Sequence, residues 1–216
     1  MPQIFGRASN TVARVTFYGA AIVLAMAFYV WGMVVNSPYS TEVGVVREQG
    51  VPFSHEHHVG GLGIDCRYCH TSVEKSAFAG IPSTEICMHC HSQIWRDSPL
   101  LEPVRESYRT GKPLEWRRVH DLPDFVFFNH SIHVAKGIGC ESCHGRVDRM
   151  PLTWKTETLY MEWCLDCHRE PERQMRSTDQ IVQFDVPLRS IAESKELAAH
   201  FGVPSRNLTD CYVCHR

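Results

Sequence analysis

The chain has 216 residues, a net charge of −2 and a pI near 6.7. That length allows one or two domains, and the neutral balance supplies no basic field, so nucleic acid is not an expected partner. Apolar content is ordinary, but ten cysteines and 13 histidines are not.

Residues 1–14 carry Arg7 and Arg14, and Val15–Val35, VTFYGAAIVLAMAFYVWGMVV, carries no charge. As a helix, this run spans ~31 Å, matching a bilayer core. A cleaved signal peptide is the rival reading. Ala25-Met26-Ala27 resembles a cleavage site, but it lies mid-run, and signal h-regions are usually shorter. Beyond the run, Asn36 comes first and Glu42 is the first charge. The positive-inside rule then makes 1–14 cytoplasmic, 15–35 a transmembrane helix and 36–216 an exterior domain, periplasmic if the membrane is a bacterial inner membrane. Tyr29 and Trp31 suit the outer interface. The small residues Gly19, Ala21, Ala25 and Gly32 suit a partner helix or an ordinary lipid-facing anchor equally.

Every cysteine of the exterior part falls in one pattern: Cys66-Arg-Tyr-Cys69-His70, Cys87-Met-His-Cys90-His91, Cys140-Glu-Ser-Cys143-His144, Cys164-Leu-Asp-Cys167-His168 and Cys211-Tyr-Val-Cys214-His215. C-x-x-C-H attaches c-type haem. Two thiols on one helical turn reach the two porphyrin vinyl groups, and the next residue faces the iron. Zinc ribbons use C-x-x-C pairs two at a time and demand no following histidine. Disulfides have no reason to repeat the triplet. The expectation is five covalent haems, with the ten cysteines as attachment points and His70, His91, His144, His168 and His215 as proximal ligands.

About 36 exterior residues per haem cannot build a separate core around each. The expected fold is a multihaem cytochrome c: short helices and loops packed on porphyrins, little sheet, one N-terminal transmembrane helix. An internal repeat is visible. Phe53-Ser-His55-Glu-His57-His58 precedes the first two runs, and Phe128-Asn-His130-Ser-Ile-His133 precedes the next two, giving two-haem units at about 53–91 and 128–168, with the fifth haem at 211–215. Between the units, Ser98-Pro99 and Gly111-Lys-Pro113 bracket a short helix. A second helix runs from a Ser190/Glu193 capping box to about Phe201.

Each iron of a low-spin carrier needs a sixth ligand. By spacing these are His55, His58, His130 and His133, the first of each pair serving its own haem and the second crossing to a neighbour. His120 is expected at the fifth iron. His57 is an alternative to His58, while His89 and His200 are poorly placed. Met150, Met161 and Met175 are the thioether alternatives, which would raise one haem's potential.

The F-N-H-x-x-H…C-x-x-C-H run resembles class III multihaem cytochromes c. The wider strings FSHEHHVGGLGIDCRYCHTSVE, IPSTEICMHCH, RVHDLPDFVFFNHSIHV and MEWCLDCHR resemble the pentahaem, membrane-anchored subunit of alternative complex III over nearly the whole chain. The resemblance implies a subunit without a catalytic site of its own. It would carry electrons inside a menaquinol-oxidising complex, with quinol as an indirect source, other membrane and periplasmic subunits as neighbours, and a periplasmic cytochrome c or an oxidase as acceptor. The alternatives are a self-sufficient quinol dehydrogenase of the NapC type, usually tetrahaem, and a multihaem reductase with an open iron.

Overall fold

The computed structural model describes residues 4–187, 189–204 and 206–215. It separates into two compact units, Met1–Glu42 and Val43–Arg216.

The first unit is α1 (Ser9–Val35) with a four-residue helix, α2 (Pro38–Thr41). The helix starts six residues before the apolar run expected from sequence, because no Pro or Gly lies between Ser9 and Val15 to stop it propagating backwards. Its end is fixed by polar side chains on the orphan carbonyls: Asn36 Nδ2 donates to Gly32 O at 2.8 Å, and Ser37 Oγ and Ser40 Oγ donate to Val34 O at 2.7 and 2.8 Å. At 27 residues, with an 18-residue window of mean hydropathy 1.9, α1 is long and apolar enough to cross a membrane.

The second unit contains α3 (Cys66–Cys69), α4 (Thr84–His91), α5 (Glu102–Thr110), α6 (His130–Ala135), α7 (Glu141–His144), α8 (Met161–Arg169), α9 (Ile191–His200) and α10 (Cys211–Cys214). Among the described residues there is no strand, only isolated bridges at Val43–Lys155 and Ile138–Met175. Both bracketed helices form. α5 enters through a tight turn at Pro99–Leu101 and stops at Gly111, whose φ of 69° suits glycine. The capping box closes on α9, with Ser190 Oγ accepting from Glu193 N. These helices brace the sites. Ser107 of α5 bonds Thr84 of α4 at 2.7 Å, and Lys136 Nζ donates to Phe201 O past the end of α9 at 2.6 Å.

Buried apolar side chains are few: among the described residues Val51, Val104, Met150, Met175 and Ile181. The second unit would ordinarily bury many more. So few buried side chains match the expectation of short helices and loops packed on bound groups rather than on one another.

Candidate functional site: paired imidazoles at the C-x-x-C-H runs

Each run ends a helix or is one. Cys66 and Cys69 bound α3, which Asp65 caps by accepting from Arg67 N at 2.8 Å. Cys211 and Cys214 bound α10, and α4 and α8 carry their cysteines in their later turns. The i, i+3 spacing puts both sulfurs of a run on one face. All ten thiols are free of disulfides.

The proximal rings are held in one tautomer. His70 Nδ1 donates to Gly80 O at 2.6 Å, His91 Nδ1 to Ile94 O at 2.9 Å, His168 Nδ1 to Leu208 O at 2.8 Å and His215 Nδ1 to Phe125 O at 3.0 Å. A carbonyl only accepts, so Nδ1 carries the proton and Nε2 presents its lone pair, the state an iron ligand needs. His144 is held neutral differently. Burial, then the fields of His120, His130, His70 and His55, push its pKa down to about 3.

The two F-x-H-x-x-H segments fold alike. Phe53 stacks on His58 (4.4 Å between ring centroids, 23°) and meets His55 edge-on (4.9 Å, 85°). Phe128 stacks on His133 (4.5 Å, 28°) and meets His130 edge-on (4.7 Å, 88°). Each phenyl ring is thus a wedge that turns its two imidazoles apart. The second imidazole of each pair donates from Nδ1 to the carbonyl four residues back, His58 to Ser54 O at 2.8 Å and His133 to Asn129 O at 2.7 Å. The first is anchored from a distance: His55 Nδ1 bonds Thr153 Oγ1 at 2.9 Å, and His130 Nδ1 donates to Ala77 O at 2.7 Å.

These rings face proximal ones. Centroid separations are 6.1 Å for His58–His91, 6.4 Å for His130–His144, whose planes lie 8° apart, and 6.1 Å for His133–His168. Two imidazoles on opposite sides of one metal, with metal–nitrogen bonds of ~2.0 Å and ~1.1 Å from nitrogen to centroid, stand ~6.2 Å apart. The residues therefore fit haem iron between them. Burial, then His70 and His58, lower the pKa of His55 to about 4. So the second imidazole of each pair crosses to the second run of its own unit.

His120 lies against His144, at 4.4 Å and 70°, too close for an iron between them. Its Nε2 is buried without a hydrogen-bond partner, and burial, then Lys155 and His130, lower its pKa to about 4. The ring beside His215 is Phe125, at 5.8 Å. Met150 and Met175 are buried packing residues and Met161 is exposed. His57 stacks on Trp95, His89 Nδ1 bonds Tyr68 Oη, and His200 rests edge-on Phe201.

Sequence reasoning did not single out Thr153 or Ala77, whose anchoring contacts span 98 and 53 residues. Gly60 also lay outside it. An added Cβ there would stand 2.2 Å from Asp148 O, so only glycine lets the His55–His58 turn approach the turn after the third run.

Thiol pairs, single-tautomer proximal imidazoles and facing distal imidazoles are the parts a multihaem c-type cytochrome uses. Comparison with known proteins agrees. Residues 132–216 match the cytochrome c3 family model, so the C-terminal part is a cytochrome c3-like multihaem domain. The chain is 29% identical over 178 residues to the multihaem cytochrome c subunit of menaquinone reductase from Nitratidesulfovibrio vulgaris (strain Hildenborough), covering 79% of this chain and 78% of that protein. The family match spans the third to fifth runs; the first two share the ligand geometry through the Phe53–His58 repeat.

Proposed function

We propose that the chain is an electron-transfer subunit of a membrane quinone–quinol oxidoreductase, with a c-type haem on each of its five C-x-x-C-H runs. In this reading α1 anchors it in a bacterial inner membrane, and the remainder stands in the periplasm. Bound haem supplies one-electron chemistry. The chain's residues do the rest: thiols fix each group, Nδ1 hydrogen bonds set four of the five proximal rings, and the two wedged pairs supply distal imidazoles to four of the five runs.

The facing imidazoles at 6.1–6.4 Å carry this reading. An iron with both axial positions filled has none for substrate, which favours a carrier over a multihaem reductase. The assembly we assign is of the alternative complex III kind, taking electrons from menaquinol and delivering them to a periplasmic cytochrome c or an oxidase. The name of the Nitratidesulfovibrio relative favours a second reading, in which the same subunit serves an assembly delivering electrons to menaquinone.

The test is a native gel of mildly solubilised membranes, stained for haem, with the haem content of the band measured. The expected band lies far above the 24.7 kDa chain mass, contains five haems per chain and is reduced by a menaquinol analogue. A band near monomer mass that quinol still reduces would refute this reading in favour of the NapC-type dehydrogenase. A large band that couples reduced cytochrome oxidation to quinone reduction would select the second reading.

A further inference from the structure

The numbering of the attachment sites is not their order in space. The first and second are joined through their loops: Tyr68 Oη, between Cys66 and Cys69, bonds His89 Nδ1, between Cys87 and Cys90, at 2.9 Å.

The first site then reaches past the second to the third. His130, facing the third site's His144, takes its orientation from Ala77 O, seven residues after His70. Third and fourth share one helical turn of α6, since His130 faces His144 and His133 faces His168. The fourth is tied to the fifth by His168 Nδ1 on Leu208 O, three residues before Cys211.

We infer that the five attachment sites stand in single file in the order second, first, third, fourth, fifth, so that the second and fifth sites are the two ends available to redox partners. The inference rests on the reading that every run carries haem. It makes the third site the midpoint of the file, where the two repeated units meet through Ser76 and Ala77 at the start of α6. Cys90 of the second site and Cys211 of the fifth are exposed, as suits terminal positions.

The experiment locates the irons in the intact haem-loaded assembly by cryo-electron microscopy, with haem per chain counted on the same sample by pyridine haemochrome. The expected result is five haems, with nearest-neighbour irons pairing second with first, first with third, third with fourth and fourth with fifth. Five haems with the second or fifth iron inside the file would overturn the order and leave the functional reading standing. Fewer than five would overturn both.

Discussion

Phe128→Ala tests the wedge. The phenyl ring touches two imidazoles, face-on at 4.5 Å and edge-on at 4.7 Å, and those imidazoles face two different proximal rings. One substitution should therefore loosen two sites together. Each such ring contact is worth about 0.5–1.5 kcal/mol beyond area burial, so removing both costs about 1–3 kcal/mol of orientation. Each distal ligand loses one of these contacts, so, at a factor of ten per about 1.4 kcal/mol, each should leave iron roughly 2- to 13-fold more often. The assay is carbon monoxide trapping by the fully reduced protein, which reads how often a sixth position opens. The variant should show two accelerated phases, and Phe53→Ala should accelerate two others. Acceleration at a single site, or at none, would refute the wedge and leave Phe128 as ordinary packing.

Three further outcomes follow from the same geometry. His130→Met should raise one midpoint potential and leave haem attachment intact; axial ligands span about 0.8 V across haem proteins, so a rise on the order of 0.1 V is expected, and five unmoved midpoints would remove His130 from the iron. Asp148 is held below the ordinary carboxylate range, chiefly by its hydrogen bond from Arg146, so its stabilisation is present above that range and lost as pH falls through the lowered value. Asp148→Asn should cost ~1 kcal/mol near neutral pH, the pair being partly solvated, and flatten the acid limb of a melting curve; an unchanged limb would contradict the assignment. Gly60→Ala must push the His55–His58 turn off Asp148 O, costing ~1–3 kcal/mol and disturbing the spectra of the first and second sites; an unperturbed Tm would show that the turn yields freely.

The helical frames of the C-x-x-C-H runs and the paired rings of the F-x-H-x-x-H segments were legible in the sequence because each depends on local spacing. C-x-x-C-H fits within one helical turn, and F-x-H-x-x-H fixes which rings can share a wedge. Their direction was only half legible. Spacing showed that the second imidazole must leave its own site, but not that it reaches the second run of the same unit, His91 or His168. That depends on contacts such as His130 with Ala77 and His55 with Thr153, which have no periodic signal. His120 shows the same limit. Its closeness in sequence to the second unit was visible, but its position against His144 with a buried, unpartnered Nε2 was not. The helix ends divide likewise. The Ser190 capping box was readable because cap and partner lie three residues apart, whereas the backward extension of α1 to Ser9 reflects an absence of breakers.

The repeat does not make two independent modules. The cytochrome c3 match begins at residue 132, just after His130, yet the His130 ring is set by a carbonyl of the first unit. His130 N also bonds Ala77 O, and Ser131 N bonds Ser76 O, both at 3.2 Å, so the start of α6 is seated on the loop after His70. A fragment beginning in the second unit would keep the third run's thiols and His144 but lose the partner that aims His130. The third site would then keep its means of attachment while losing the fixed orientation of its sixth ligand. The first unit thus helps to build the axial geometry of the second, which accounts for the first and third sites lying side by side although the second separates them in sequence.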